Sequence, residues 1–483
     1  MNKPLRRIAI FCGILIMALL VRVNWIQFVQ ADELQTDDRN RRVAIERYSH
    51  PRGNIIVDGK AITGSAETDD QNYTYERTYK NGEMWAPVTG YASQAYGTSM
   101  LEGVYDEILT GNDDRLFFNR TIDMLTGKPR EGGNVVTTLN AAAQKAAYEG
   151  LGDKKGAVAA IDPRTGAVLA LASTPSYDPS TISGYSADDQ ESWVALNEDP
   201  DKPMNNRALR ETYPPGSTFK VVTAAAALES GKYDIDKESG IEDPFPLPQS
   251  SDELSNFGSP PCDNATLRDA LKYSCNATFA GISDDIGNEG MIEMAEAFGF
   301  NEEHFVPIRT AVSVYPEDNQ PQNAMAGIGQ ASNRATPLQM AMVTAAIAND
   351  GTLMKPYMVD RLEGPRSVVE QTEPEELGQP LDATNAEKIQ QMMETVVEEG
   401  TGTRGQIDGV TVGGKTGTAQ RGAENKENPY AWFISYAMTD DGSPVAVAVV
   451  VEDSNAERSE ISGGGLAAPI ATDVMKAVLD GGQ

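Results

Sequence analysis

At Tyr213-Pro214-Pro215-Gly216 the chain can continue neither a helix nor a strand ladder, so whatever precedes must stop there. The next residues, Ser217-Thr218-Phe219-Lys220 and then Val221-Val222-Thr223-Ala224-Ala225-Ala226-Ala227-Leu228, form a strong helix pattern that ends at Gly231. It is apolar nearly all round, which predicts a buried helix rather than a surface one. Ser217 therefore stands at or near a helix start, and Lys220, three residues on, shares its face. A serine in this position is ordinarily an N-cap. Burial supplies a second reading, because a desolvated lysine loses proton affinity and a neutral amine beside a serine is a general base. The chain has two histidines, His50 and His304, so a Ser-His-Asp triad or a histidine-rich metal site is a poor fit, and neither metal nor cofactor is expected.

With 483 residues the sequence is long enough for two or three domains. Seventy-one acidic residues against 40 basic ones, a formal charge of −31, argue against nucleic acid and anionic surfaces as partners. The N-terminus carries Lys3, Arg6 and Arg7, then an apolar run from Ile8 to Val21, then Arg22, Trp25 and Phe28. Allowing Arg22 to snorkel and Trp25 to sit at the interface, a single membrane span is expected near residues 8–29. The alternative is a signal peptide cleaved at Val29-Gln30-Ala31. Basic residues before the span and Asp32, Glu33, Asp37 and Asp38 after it predict that the rest of the chain lies outside the cytoplasm. Of the three cysteines, Cys12 falls in the span, so the one intrachain pairing outside it is Cys262 with Cys275; two free buried thiols are the alternative.

Residues 31–140 are polar and weakly periodic and read as a spacer or interaction module, with one short strand over Arg52–Gly59 that ends in an Asp-Gly turn. A second domain opens near Gly156. Residues 157–162 and 167–172 flank Pro163-Arg164-Thr165-Gly166 as a hairpin, and neither strand alternates with polar residues, so both faces of its sheet should be covered. Helices are expected from Thr266 to about Tyr273 and from Thr336-Pro337 to Asn349, the second with Leu338, Met342, Ala345 and Ala346 on one side. The acidic stretch 365–400 reads as surface. Strands return at 410–418, 431–436 and 445–451, and a helix from about Ala468 closes the chain. The simplest assembly is an α+β domain, one antiparallel sheet built from both ends of the domain with helices packed on it.

Three short motifs stand in order: Ser217-Thr218-Phe219-Lys220, Ser274-Cys275-Asn276 and Lys415-Thr416-Gly417. Each is weak alone. As an ordered set they resemble the signature of the penicillin-binding proteins and serine β-lactamases. Arg52-Gly53-Asn54-Ile55, Ala160-Ile161-Asp162-Pro163-Arg164-Thr165-Gly166, Pro175-Ser176-Tyr177-Asp178-Pro179, Asn206-Arg207-Ala208 and Gly327-Ile328-Gly329-Gln330 extend the resemblance to class B penicillin-binding proteins over nearly the full length. The short spacer before Gly156 is most similar to the actinobacterial penicillin-binding protein A subgroup. The resemblance implies three parts: a cytoplasmic tip and anchor (1–30), a non-catalytic pedestal or interaction domain (31–150) and a transpeptidase domain (151–483) with helices on both faces of its sheet.

It also implies a peptidoglycan D,D-transpeptidase that is acylated by β-lactams. Ser217 would attack a D-alanyl-D-alanine stem peptide, Lys220 would take its proton, and Ser274 would relay a proton to the departing D-alanine. Asn276 would meet the substrate amide and Lys220. Lys415 would supply positive charge near Ser274 and the substrate carboxylate, which Thr416, Gly417 and Thr418 would help bind. The backbone N–H groups of Ser217 and Thr418 would form the oxyanion hole. By analogy a separate membrane glycosyltransferase of the SEDS type is the expected partner. Rival readings on the same fold are a D,D-carboxypeptidase, a β-lactamase and a non-catalytic β-lactam sensor or scaffold. The Glu-x-x-Leu-Asn stretch of class A β-lactamases is missing its glutamate in the nearest match, Trp193-Val194-Ala195-Leu196-Asn197, which also precedes the nucleophile.

Overall fold

Helix α1 (Lys3–Phe28) is continuous and contains an 18-residue apolar stretch of mean hydropathy 2.2, with none of it buried against the rest of the protein. At 1.5 Å per residue it is about 39 Å long, more than the ~30 Å hydrocarbon core of a bilayer. The structure, a computed structural model, describes residues 3–31, 34, 41–127, 130–256, 260–422, 427–453, 456 and 458–481. The acidic flank Asp32, Glu33, Asp37 and Asp38 lies outside the described residues.

Strands β1 (Ile55–Val57) and β2 (Lys60–Ala61) form a hairpin through Asp58 and Gly59, whose positive φ angles of 46° and 69° suit the Asp-Gly turn expected there. Helix α2 (Phe117–Thr126) and strand β3 (Asn134–Thr137) follow, then helix α3 (Ala141–Leu151) and the hairpin of β4 (Lys155–Ile161) and β5 (Val168–Thr174). Among the helices that come next, four matter for the site and core: α4 (Lys220–Glu229), α5 (Leu267–Tyr273), α6 (Asn276–Ala297) and α7 (Pro337–Ala348). Strands β6 (Val359–Glu363) and β7 (Val368–Gln371) and helix α8 (Ala383–Glu399) precede β8 (Thr411–Ala419), β9 (Tyr430–Thr439) and β10 (Gly442–Asp453), and helix α9 (Ala468–Gly481) is last.

The main sheet runs β8-β9-β10-β4-β5, antiparallel throughout. Its centre joins the two ends of the domain, with Ala159 opposite Ala448 and Ala160 opposite Val447. The missing polar alternation has a direct cause. Ala157, Ala159 and Ile161 enter the core shared with α4 and α7, whereas Val158 and Ala160 meet Ala143 and Ala147 of α3 and Ile470 and Val474 of α9. Both faces are dry, as expected for unalternated strands.

Every residue of helix α7 from Pro337 to Ala348 is buried, Leu338, Met342, Ala345 and Ala346 among them, because the helix lies between the sheet and α8. One expectation needs correction: the stretch 365–400 is not all surface. Helix α8 turns Ala386, Ile389, Met392, Met393, Val396 and Val397 inward and packs on β8 and α5. The Glu and Gln residues between them hid an i, i+3, i+4 stripe.

A second sheet, β7-β6-β3-β1-β2, takes two of its strands from residues 359–371 and pairs β1 with β3 in parallel. Beside it lies an ion network that sequence pattern did not reveal. Arg52 bonds Glu102 at 2.8 Å and Asp106 at 2.7 Å, and Arg77 bonds Glu102 at 2.6 Å, with Arg52, Arg77 and Glu102 all buried. Removing one member would leave a buried charge unpaired, at a cost of about 3–5 kcal/mol.

Candidate active site

The Pro-Pro-Gly break becomes a tight turn into a short 3-10 helix, Gly216–Phe219, that runs straight into α4. Neither helix start is capped by a side chain, so the capping role that residue type alone suggested for Ser217 does not apply. Gly216 has φ +54°, and its N–H donates to the Gly329 carbonyl at 2.9 Å. A Cβ on Gly329 would stand 2.0 Å from the Gly216 oxygen, which is why glycine occupies that place in Gly327-Ile328-Gly329-Gln330. Thr223 of α4 ties the other end of that loop by donating to the Gly327 carbonyl at 2.6 Å.

The turn lies against edge strand β8. A Cβ on Gly417 would come within 3.1 Å of both Thr218 Cγ2 and the Pro215 carbonyl, and a Cβ on Gly216 within 3.0 Å of Ala419. Trp432 of β9 fixes the same turn by donating from its indole N–H to the Pro214 carbonyl at 3.0 Å. These close approaches bring the backbones of Ser217 and Thr418 alongside each other. Ser217 itself is half-buried.

Helix α4 buries every residue from Lys220 to Leu228, as its all-apolar pattern predicted. Lys220 Nζ donates to the Ser274 carbonyl at 2.8 Å and to Asn276 Oδ1 at 2.7 Å, with Ser274 Oγ 3.3 Å away. Burial, reinforced by the nearby Lys415 charge, pushes the Lys220 amine well below the usual lysine range. Lys415 Nζ donates to Ser274 Oγ at 2.9 Å and to the Thr416 carbonyl at 3.0 Å. Burial lowers its pKa to about 7. Two buried amines therefore flank one hydroxyl, and neither has a carboxylate partner among the contacts described.

Ser274 is presented by the junction between α5 and α6. It is the C-cap of α5 in the left-handed region, φ 61°, a conformation that a residue other than glycine keeps only when its surroundings hold it. Two restraints do so from outside. Cys275 is bonded to Cys262, which decides between the bridged and free-thiol readings. Asn256 Oδ1 accepts from the N–H groups of Asn276 at 2.5 Å and Ala277 at 3.1 Å, and its amide donates to Asp243 at 2.6 Å. Asn256 thus caps α6 from a distant loop. No local signal marks it, since a cap is normally sought in the residue preceding the helix.

Strand alternation separates the third motif. Lys415 faces the helices, whereas the Thr416 hydroxyl shares a 2.6 Å hydrogen bond with Thr401 and Thr418 is exposed at the sheet edge. Lys220, Ser274, Asn276 and Lys415 thus form one hydrogen-bonded cluster, with Ser217 in the turn just before Lys220 and Gly417 against that turn; Thr416 is engaged by a neighbour that sequence reasoning missed.

Comparison with known proteins identifies the family. Residues 156–476 match the family model of the penicillin-binding protein transpeptidase domain, and residues 52–135 that of the penicillin-binding protein A dimerisation domain. The chain is 39% identical over 496 residues to peptidoglycan D,D-transpeptidase PbpA of Mycolicibacterium smegmatis, covering 100% of both chains, and 39% identical over 497 residues to that of Mycobacterium tuberculosis, again covering 100% of both. Its fold is similar to that of penicillin-binding protein A from M. tuberculosis in a ceftriaxone acyl-enzyme complex, with TM-score 0.86 and 38% identity over 90% of this chain and 100% of that one. Over its full length, this chain belongs to the penicillin-binding protein transpeptidase family.

Proposed function

We propose that the protein is a membrane-anchored, serine-type peptidoglycan D,D-transpeptidase. The observation that carries this reading is the convergence of two buried, carboxylate-free lysines on Ser274 beside the turn that presents Ser217. Because Lys220 resists protonation, it can accept the Ser217 proton as Oγ attacks the carbonyl carbon of a terminal D-alanyl-D-alanine. Its two short hydrogen bonds to carbonyl oxygens occupy two N–H groups, and a neutral amine keeps a lone pair for that proton. The tetrahedral oxyanion meets the N–H groups of Ser217 and Thr418. As the C–N bond breaks, the proton passes through Ser274 to the leaving D-alanine, and the acyl ester stays on Ser217. An amine from a second stem peptide then attacks the ester, loses its proton to the same relay and returns Ser217 to its hydroxyl form.

Lys415 gains a separate role from its lowered proton affinity. The substrate carboxylate, held by Thr418 with Thr416 and Gly417 of the edge strand, would raise the Lys415 pKa and charge the site only when donor peptide is bound. Asn276 positions Lys220 and meets the substrate amide. The named activity of the two mycobacterial relatives and the β-lactam acyl-enzyme of the structural neighbour support this assignment and binding of β-lactams.

The division into an anchor (1–30), a non-catalytic domain (31–150) and a transpeptidase domain (151–483) agrees with the two family matches. Helix α1 is a single uncleaved span with the catalytic domain outside the cytoplasm, a topology that rests on Lys3, Arg6 and Arg7 preceding it. A separate SEDS-type membrane glycosyltransferase supplies the glycan strands. The test incubates the full chain in detergent with a D-alanyl-D-alanine donor peptide and an acceptor amine. D-Alanine release should match crosslinked product by mass spectrometry, and release without crosslink would assign a carboxypeptidase instead.

A further inference from the structure

Helix α2 has an apolar face that none of the described residues covers. Around a helix of 3.6 residues per turn, Met124, Phe117, Thr121, Leu125, Phe118 and Ile122 fall on one continuous arc, with Thr126 beyond it. The exposures decide the point: Phe118 is 79% exposed, Met124 and Leu125 82% each. In the rest of the described protein outside α1, exposed large apolar residues are scattered singly. Leu116, immediately before the helix, is buried and roots its base in the N-terminal domain.

That base adjoins the segment arriving from the membrane anchor. Arg130, beyond the helix, donates to the Gly111 carbonyl before it at 2.7 Å and pairs with Glu46 at 3.6 Å, while Arg47 pairs with Asp106 at 2.9 Å. Residues 29–40 are the whole connection between Phe28 and Arg41, and twelve residues reach about 40 Å at most. The root of α2 is thus tethered near the bilayer whatever path the connection takes. Local charge agrees with this placement. Residues 113–131 hold four acidic and four basic side chains, neutral in a chain of formal charge −31 that an anionic surface would otherwise repel.

We propose that the apolar face of α2 lies in the outer-leaflet interface, so that the N-terminal domain is fixed to the membrane at a second point besides α1. A short helix with large apolar residues on one arc and polar ones opposite is suited to lying in the plane of the headgroups. A second copy of the chain fits less well, since a ten-residue helix offers little of the ~1,200–2,000 Å² that a stable interface buries. The proposal rests on the reading of α1 as a retained span. Its geometric consequence is a restricted tilt of the catalytic domain over the surface that carries its substrate.

The test uses the full chain in lipid nanodiscs at one protein per disc. Each variant carries Cys12→Ser and one new cysteine, Phe118→Cys, Leu125→Cys or Thr126→Cys, labelled with an environment-sensitive fluorophore. Doxyl groups on the lipid should quench labels at 118 and 125 severalfold more than the label at 126, and aqueous iodide should show the reverse order. Unmutated Cys12, labelled separately, reports whether α1 is inserted, so a failure of the anchor reading is distinguishable. Equal access of iodide to all three positions would overturn the proposal. So would protection from iodide without doxyl quenching, which would assign the face to a second copy or another protein.

Discussion

Replacing Lys415 by methionine should stabilise the protein near neutral pH while disabling it. The unfolded lysine titrates near 10.4 and the folded one at about 7. Below pH 7 the amine is charged in both states, and the folded protein carries the whole burden of burying it. Between pH 7 and about 10 the folded state is neutral while the unfolded state still binds a proton, so stability rises with pH over that window. The full rise is about 5 kcal/mol at 1.36 kcal/mol per pKa unit. Methionine fills similar volume without charge, but it leaves the Thr416 carbonyl without its lysine donor, at a cost of about 1–3 kcal/mol, while Ser274 Oγ keeps Lys220 as a neighbour. The Lys415→Met variant should therefore gain about 2 kcal/mol at pH 6 and lose that advantage by pH 9.5. Urea unfolding of the full chain in detergent, followed through the buried Trp432, measures the difference at both pH values. β-Lactam acylation should fall by about a hundredfold or more in the same variant. Equal pH dependence in the two proteins, with wild type the more stable at pH 6, would refute the reasoning.

Three further outcomes follow from the same geometry. Lys220→Arg replaces the neutral amine with a permanent cation of similar reach that cannot accept a proton, so acylation should fall by about 10²–10⁴-fold, measured by stopped-flow with a chromogenic β-lactam; retained acylation would exclude Lys220 as the base. Asn256→Ala removes the cap that α6 receives from a distant loop, worth about 1 kcal/mol, and should slow acylation roughly fivefold through misplacement of Ser274 and Asn276 while the adduct, once formed, still forms at Ser217. Reduction of the Cys262–Cys275 bridge should lower the acylation rate, and Cys262→Ala should reproduce the effect without reductant; an unchanged rate in both would free the Ser274 junction from dependence on the bridge.

The parts of this molecule that are legible in sequence are those set by local chemistry. The Pro-Pro-Gly break, the all-apolar α4 and the i, i+3 pair Ser217 and Lys220 follow from short-range rules, and so do the unalternated strands β4 and β5 and the Thr266 cap of α5. What escaped is non-local. Asn256 reaches the start of α6 from 20 residues away, Gly329 supports the nucleophile turn from more than 100 residues away, and β6 pairs with β3 across more than 200 residues. Helix α8 escaped for another reason, since its exposed Glu and Gln residues outweighed a buried stripe of Ile, Met and Val. The capping reading of Ser217 was overturned by the 3-10 geometry, in which the helix begins before the serine rather than at it.

The central claim is that Ser217 is the nucleophile and that its acyl ester is long-lived. Covalent labelling with a fluorescent penicillin tests it most directly, with the adduct located by peptide mapping and its lifetime followed by gel. The label should sit on the peptide containing Ser217, persist after free penicillin is removed, and be absent from Ser217→Ala. A label retained by the Ser217→Ala variant, or one lost rapidly from wild type, would contradict the account, the first by removing the nucleophile and the second by assigning a hydrolytic β-lactamase.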